Sequence, residues 1–427
     1  MSAIDSSEAL RPGPTGVRRW IAARVTAFMP AGLDLMRRLG VVPRIGGMWI
    51  VTRHDDVREV FATDAAFATP YGTKLRVITG DEPFFLAMPD CPDYHAGVAA
   101  MQRVMREDDL PMLAARVEAR AGEIVQGAGG RLEVVDQLAR RVTFDVIGEY
   151  LGVPRPPRGE LRVWGTRLFE FQFADMKDDP GLRAEVDEIA PAFRRLLDNE
   201  IVRRKAGGDG PDDVLGRCLS LQRAGEPGFA DAQIRTAILC MIVGGPPQPA
   251  MVVPQALEQL LRRPDALKGA QAAARAGDDA RLRDYVLEAM RFDPLALGLP
   301  RVTTRACTLA RGTKRETTIP AGSTVLAGIS AAMLDPARVS EPRRFRPGRA
   351  AHHYIHFGHR LHECFGRHIN RATLHLMLKP LLKQPNLRRA RGAEGRLSKN
   401  GPFAERLVVE YDQESGGPAV FTDRRRA

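Results

Sequence analysis

Along most of the chain apolar residues recur at three- and four-residue intervals, the spacing that gathers them on one face of a helix. Leu113 to Val125, Val134 to Leu151, Leu161 to Phe173 and Leu182 to Arg204 read as helices, with Gly152, Pro154, Pro156, Pro157, Gly207 and Gly210 marking turns. A long helical stretch runs from about Asp231 to Arg263, another from Ala280 to Phe292. A last pattern through Ile369, Ala372, Leu376 and Met377 ends near Pro380. Alternation with period two is confined to short runs. Met48-Trp49-Ile50-Val51-Thr52 reads as a strand before a short helix over Asp55 to Phe61. Val302 to Ile329, around Gly312 and Gly322, reads as short strands, and Leu387 to Tyr411 as a small β-hairpin region. Residues 66 to 92 are irregular and rich in Gly, Pro and aromatics. Phe169, Phe171 and Phe173 are expected in the core.

Composition changes this picture little. The 427 residues suit one large domain or two, and 44% hydrophobic with 27% charged residues is ordinary for a globular chain. The longest apolar run, Ala237 to Val243, is too short to span a bilayer, so no membrane association is expected. Trp20 to Leu35 is broken by Arg24 and Pro30 and lacks a small-residue cleavage site, so it does not read as a signal peptide. Five widely spaced cysteines form no CxxC pair and no disulfide framework. The simple expectation is a cytoplasmic protein.

Charge adds one candidate surface. The net charge of +11 comes from basic residues scattered among 52 acids, with no nucleic-acid recognition motif, so no nucleic-acid partner is expected. A local basic face of Arg360, Arg367, Arg371, Lys379 and Lys383 is suited to steering an acidic electron-transfer partner.

The chemistry concentrates at Cys364. It follows a Gly-containing loop and directly precedes a helical pattern, which points its thiol at a helix N-terminus, where dipole and free N–H groups favour a thiolate. A thiolate so held is a natural axial ligand for haem iron and favours O–O cleavage. Phe357, Gly358, His362, Cys364 and Gly366 resemble the Phe-Gly-x-x-x-His-x-Cys-x-Gly signature of the cytochrome P450 haem-thiolate oxidoreductases, in their soluble bacterial form. The resemblance implies one mainly α-helical domain with a small β-rich lobe over residues 45–411, after an N-terminal extension 1–44 and before a basic tail 412–427 that ends in Arg424-Arg425-Arg426. It also implies haem b, with Cys364 as its axial metal ligand.

Other segments extend the likeness. Leu299-Pro300-Arg301 resembles the segment whose Arg binds a haem propionate, a contact that suits a guanidinium and a carboxylate. His362 and His95 resemble further propionate contacts, although Ala99 stands where a companion Arg is usual and Arg103 lies a turn further on. Glu288-Ala-Met-Arg291 followed by Pro342-Arg343-Arg344-Phe345 resembles a buried, non-catalytic Glu–Arg–Arg triad of Glu288, Arg291 and Arg344. Residues 66–92 resemble the loop that covers the substrate.

One segment departs from the family. Gly244-Gly245-Pro246-Pro247-Gln248-Pro249 falls where most members have Ala-Gly-x-Asp/Glu-Thr-Thr, so Pro247 replaces the acid and Gln248 the alcohol of a proton relay. A prolyl ring carries no proton and an amide is a poor relay. The prolines also predict a kinked or interrupted helix at this point. Gly245, Pro247 and Gln248 are therefore candidate, atypical distal-pocket residues.

The resemblance implies monooxygenation of a small organic substrate, using dioxygen and electrons from a ferredoxin and ferredoxin reductase. The altered relay motivates an alternative in which a peroxide or hydroperoxide is consumed, by a peroxygenase or a hydroperoxide isomerase or lyase. A third reading, of another class, is a haem protein that binds or senses without turnover.

Overall fold

The computed structural model describes residues 2–13, 16–175, 177–208 and 210–413. Helices form most of it and small sheets the rest, as the periodicity predicts. The expected helices appear at Leu110–Gly127, Arg141–Leu151, Leu161–Phe169, Pro180–Ala206 and Asp279–Phe292, joined by others at Val214–Arg223 and Pro264–Ala276. The first turns of the 134–151 pattern and the last of the 161–173 pattern are π-helical, over Val134–Arg140 and Glu170–Ala174. Phe169 and Phe171 are buried, whereas Phe173 is 38% exposed and stands edge-on to Tyr71.

The helix that follows Cys364, Arg367–Lys383, packs along Leu110–Gly127 and against Asp279–Phe292. It ends at Lys383, just past Pro380 and close to where the pattern places its end. A proline near the last turn removes only one intrahelical bond, and Leu376, Met377, Leu378, Leu381 and Leu382 continue the buried face through it.

The β lobe is a five-stranded sheet in the spatial order Arg44–Ile45, Met48–Val51, Thr324–Ala327, Leu299–Thr303, Phe67–Ala68. Only the Met48–Val51/Thr324–Ala327 pair is parallel. Its apolar face closes over Val51, Val57, Phe61, Phe67, Ile319 and Val325. The C-terminal β region is wider than a hairpin: Ser398–Asn400 pairs with Phe403–Arg406, while Val408–Glu410 pairs with both Arg131–Glu133 and Arg388–Arg389.

Two further expectations change. Residues 66–92 are more ordered than their composition suggests, with a helix at Gly72–Thr79 and a 3-10 turn at Phe85–Ala87. Gly80, left-handed at φ 72°, closes that helix by donating to the Arg76 carbonyl, a stop signal visible in the sequence. The 1–44 stretch carries the helix Gly16–Leu39, whose Leu33 packs on Ile50 and Ala331, and its first residues are tied to the body through Ser2–Glu188 and Ile4–Trp164 contacts. The Arg424-Arg425-Arg426 tail lies outside the described residues.

The 231–263 stretch is interrupted as the prolines predict. Asp231–Gly244 and Pro249–Leu261 are separate helices joined by a turn at 245–248. Taken together they are long and apolar enough to cross a membrane by composition, yet 72% of their most apolar window is buried inside the protein. This is the core helix pair.

Candidate functional site

Cys364 is held by a closed loop. Its N–H donates to the Phe357 carbonyl at 2.7 Å, Glu363 N–H donates to Arg360 O, and Arg367 N–H donates to Cys364 O. Gly358 (φ 79°) and Arg360 (φ 64°) take left-handed conformations to make the turn, the second at some cost in strain. A Cβ at Gly358 would meet the His362 carbonyl at 3.4 Å, within a few tenths of crowding the loop. The Tyr94 hydroxyl donates to Leu361 O from the Pro92–Val104 helix, and Phe85 stacks edge-on to Phe365. The loop is thus braced from both sides.

Two effects oppose each other at the thiol. The Gly366 N–H and Asn370 Nδ2, 4.0 Å from Sγ, favour a thiolate, but burial dominates and pushes the Cys364 thiol up to about 11.

Arg301 sits on the second strand in from one edge of the sheet, where alternation turns it and Thr303 to the buried face. Its guanidinium is 4% exposed and lies 4.9 Å over the Phe61 ring, and Nη1 donates to Pro300 O while Nε has no partner. Around it gather His362, Asp64 and Tyr71. His362 Nε2 is 3.8 Å from Asp64 Oδ1, and His362 Nδ1 and Asp64 Oδ1 are both buried without hydrogen bonds. Burial, reinforced by Arg301, drops the His362 pKa to about 4, and burial raises that of Asp64 despite the pull of Arg301. Asp64 and Tyr71 were not foreseen from sequence; their only signal was position in the 66–92 loop and at its threshold.

Behind the loop, Glu288 and Arg291 are completely buried and doubly bonded, at 2.9 and 2.7 Å. The third expected member is different. Arg344 has a side chain 72% exposed on Glu341, and Arg349, 2% exposed, donates to Glu288 at 3.2 Å in its place. The Phe345 to Gly348 turn carries the chain back so that Arg349 faces Glu288. Arg344 contributes only its carbonyl, which accepts from both Arg291 and Arg349.

At the break over residues 245–248, a Cβ on Gly245 would lie 2.6 Å from the Met241 carbonyl, so glycine is needed there. Gln248 has a structural task that its sequence position did not suggest. Its Nε2 donates to the Gly244 carbonyl at 2.5 Å, while its own carbonyl accepts from Met251 and Val252. The side chain caps the helix behind and the backbone starts the helix ahead. Pro246 and Pro247 are buried in the turn.

Arg301, the 245–248 break and Cys364 all lie within one matched stretch of the chain. The sequence model described as Cytochrome P450 matches residues 182–402, just over half of the chain. The chain belongs to the cytochrome P450 family. Cyclomarin C epoxidase CymV of Salinispora arenicola (strain CNS-205) is 26% identical over 372 residues, 86% of this chain and 88% of that protein. Cytochrome P450 monooxygenase PikC of Streptomyces venezuelae is 26% identical over 346 residues, 79% of this chain and 78% of its own. The open structure of cytochrome P450 Eryk from S. erythraea superposes with a TM-score of 0.77 at 24% identity, covering 97% of this chain and all of that one. This P450 is accordingly an oxidoreductase of a family of monooxygenases acting on small substrates, and its cofactor is haem b. The non-catalytic alternative is set aside.

The P450 site fits haem b. The orphaned Arg301 Nε and His362 Nδ1 are buried donors or acceptors suited to propionates, and Cys364 is a free thiol in its loop. His95 is placed differently: its side chain is 62% exposed, with a ring nitrogen 2.6 Å from Asp90 Oδ1, and Tyr94 makes edge-on contacts with both it and His362. Arg103 is engaged with Glu226. The basic face is smaller than expected, because Lys379 is buried between Glu118 and Asp279 and Lys383 leans on Glu118; Arg360, Arg367 and Arg371 remain on it.

Proposed function

We propose that this P450 monooxygenates a small organic substrate with dioxygen, taking electrons from a ferredoxin and its reductase in the cytoplasm. The observation that carries this reading is the likeness to a named epoxidase and a named monooxygenase over most of the chain. Five free cysteines suit a reducing compartment. The Arg360, Arg367 and Arg371 face suits an acidic partner.

Haem bound through Cys364 supplies the oxidation chemistry. The chain's own residues do three things around it. Cys364 is held by the Phe357 carbonyl and Gly358 turn so that Sγ has one position. Arg301 and His362 would bind the propionates, and Asp64 and Tyr71 shape that pocket. The 245–248 turn opens the core helix without offering an acid or a hydroxyl, since Pro247 has no proton to give and the Gln248 amide is committed to Gly244 O. Protons for dioxygen chemistry would then arrive through ordered water or the substrate's own hydroxyl groups.

That same commitment of Gln248 favours a second reading, in which the O–O bond arrives with a peroxide or hydroperoxide and no relay is needed. The deciding experiment uses ferric, haem-loaded protein without reductant or dioxygen, offered hydroperoxides including fatty-acid ones. No product there, with product from the reductase-driven reaction, supports monooxygenation. Fast hydroperoxide turnover that vanishes in Cys364→Ser replaces it with the second reading. Cys364→Ser should also abolish the thiolate-type spectrum of the reduced carbon monoxide complex.

A further inference from the structure

Beside the cysteine loop, and apart from the haem pocket, lies a cavity of about 360 Å³ lined by His54, Asp55, Arg58, Ala337, Arg338 and His352. Its floor is His54, 2% exposed, whose two ring nitrogens both lack a hydrogen-bond partner although the main chain of His352 and the Asp55 carboxylate, at 3.7 Å, lie near. Asp55 is already neutralised: Arg338 grips both of its oxygens at 2.9 Å. Arg58 is not. Among the described residues its guanidinium has no carboxylate partner; it meets His359 Nε2 at 3.3 Å, a group that is no counter-ion. The cavity therefore joins an uncompensated cation, a second arginine whose charge is met by Asp55 but which keeps a free donor nitrogen, and a buried imidazole with no hydrogen bond of good geometry. With Asp55 held by Arg338, no acid lining the cavity is left for Arg58.

We propose that this cavity binds a small oxyanion of the phosphate type. Arg58 and Arg338 present planar donors suited to two of its oxygens, and His54 reaches a third from below. Two oxygens on guanidinium groups and one on an imidazole is a donor set that water fills poorly, and the volume admits a phosphate with room for one substituent. The phosphate is either free or carried by a nucleotide. The site also touches the chemistry by position, since Arg58 contacts His359 inside the loop that ends at Cys364.

The test uses full-length, haem-loaded protein titrated with inorganic phosphate at constant ionic strength set with chloride, followed by thermal midpoint and by calorimetry. Saturable binding in the wild type is expected, weakened at least about tenfold in Arg58→Gln and partly restored in Arg58→Lys. His54→Gln, which keeps a donor but moves it, should weaken binding without touching the haem spectrum. Equal affinity for phosphate and a nucleoside monophosphate assigns the site to the free ion; tenfold preference for the nucleotide assigns it to the carried one. Absence of saturable binding, or binding unchanged in both Arg58→Gln and His54→Gln, overturns the proposal.

Discussion

Two buried arginines stand ten residues apart in sequence and in opposite chemical situations. Arg291 is fully enclosed and every nitrogen is used: two bonds to Glu288 and three to the carbonyls of Met333, Pro342 and Arg344. Arg301 is almost as buried, yet it bonds only its neighbour's carbonyl and leaves Nε bare. A buried charge whose donors are all satisfied belongs to the scaffold. One left half-satisfied is a place where the fold has kept a position for a ligand.

The largest test of that contrast is Glu288→Gln. It leaves Arg291 and Arg349 buried without a counter-ion and should destabilise by about 3–5 kcal/mol, read as a fall in urea midpoint. Arg349→Ala should cost nearly as much, and Arg344→Ala, on an exposed pair, no more than about 0.5 kcal/mol. Equal effects of Arg344 and Arg349 would contradict the placement of Arg349 on Glu288.

Next is pH. His356 gives one nitrogen to the Leu287 carbonyl and His375 has a bare Nδ1; burial drops both pKa values to about 4 from an ordinary 6.5. A neutral imidazole tolerates an unpaired nitrogen in the scaffold, but a charged one does not. Because the unfolded chain takes up these protons first, stability is fully present above about 6.5 and is lost as pH falls toward 4, by up to about 3 kcal/mol per residue. Unfolding midpoints at pH 7 and 4.5 measure this, and His375→Gln should flatten the slope. An unchanged slope would mean that residue titrates in contact with water.

Arg301→Met sharpens the comparison through its sign. Removing a poorly compensated buried cation should leave the haem-free chain as stable as before or about 1–2 kcal/mol more so, while haem is lost to a competing apoprotein several times faster. If the haem-free chain weakens as much as Glu288→Gln does, Arg301 belongs to the scaffold as well.

What could be read from sequence follows the same divide. Helices and the broken 231–263 stretch were legible because periodicity and prolines act locally. Cys364, His362 and Arg301 could be named as candidates because their motifs are contiguous. Arg344 was mistaken for Arg349 because adjacency to a motif does not fix which arginine a turn brings back to Glu288. Asp64 and Tyr71 gave no local signal, since only the packing of the loop against the sheet brings them to Arg301. Gln248 was visible as a substitution, but its capping bond to Gly244 depends on the turn geometry.

The smallest effect is expected at Asp64, and it bears most directly on Arg301. Desolvation raises the Asp64 pKa even with Arg301 pulling the other way, so its ionised form is disfavoured where it sits. A carboxyl group whose folded pKa is raised stabilises below its unfolded value, near 3.8, and that contribution is lost as pH rises through the folded value. At pH 7 Asp64 is therefore a modest burden, and it would repel a propionate brought to the same arginine. Asp64→Asn should stabilise the haem-free chain by about 1 kcal/mol or less, flatten its stability profile as pH rises from 3.8, and slow haem loss. A destabilisation beyond about 1 kcal/mol at pH 7 would instead identify Asp64 as the counter-ion of Arg301. The contrast with Arg291 would then be one of degree, and the propionate reading of Arg301 would lose its main physical support.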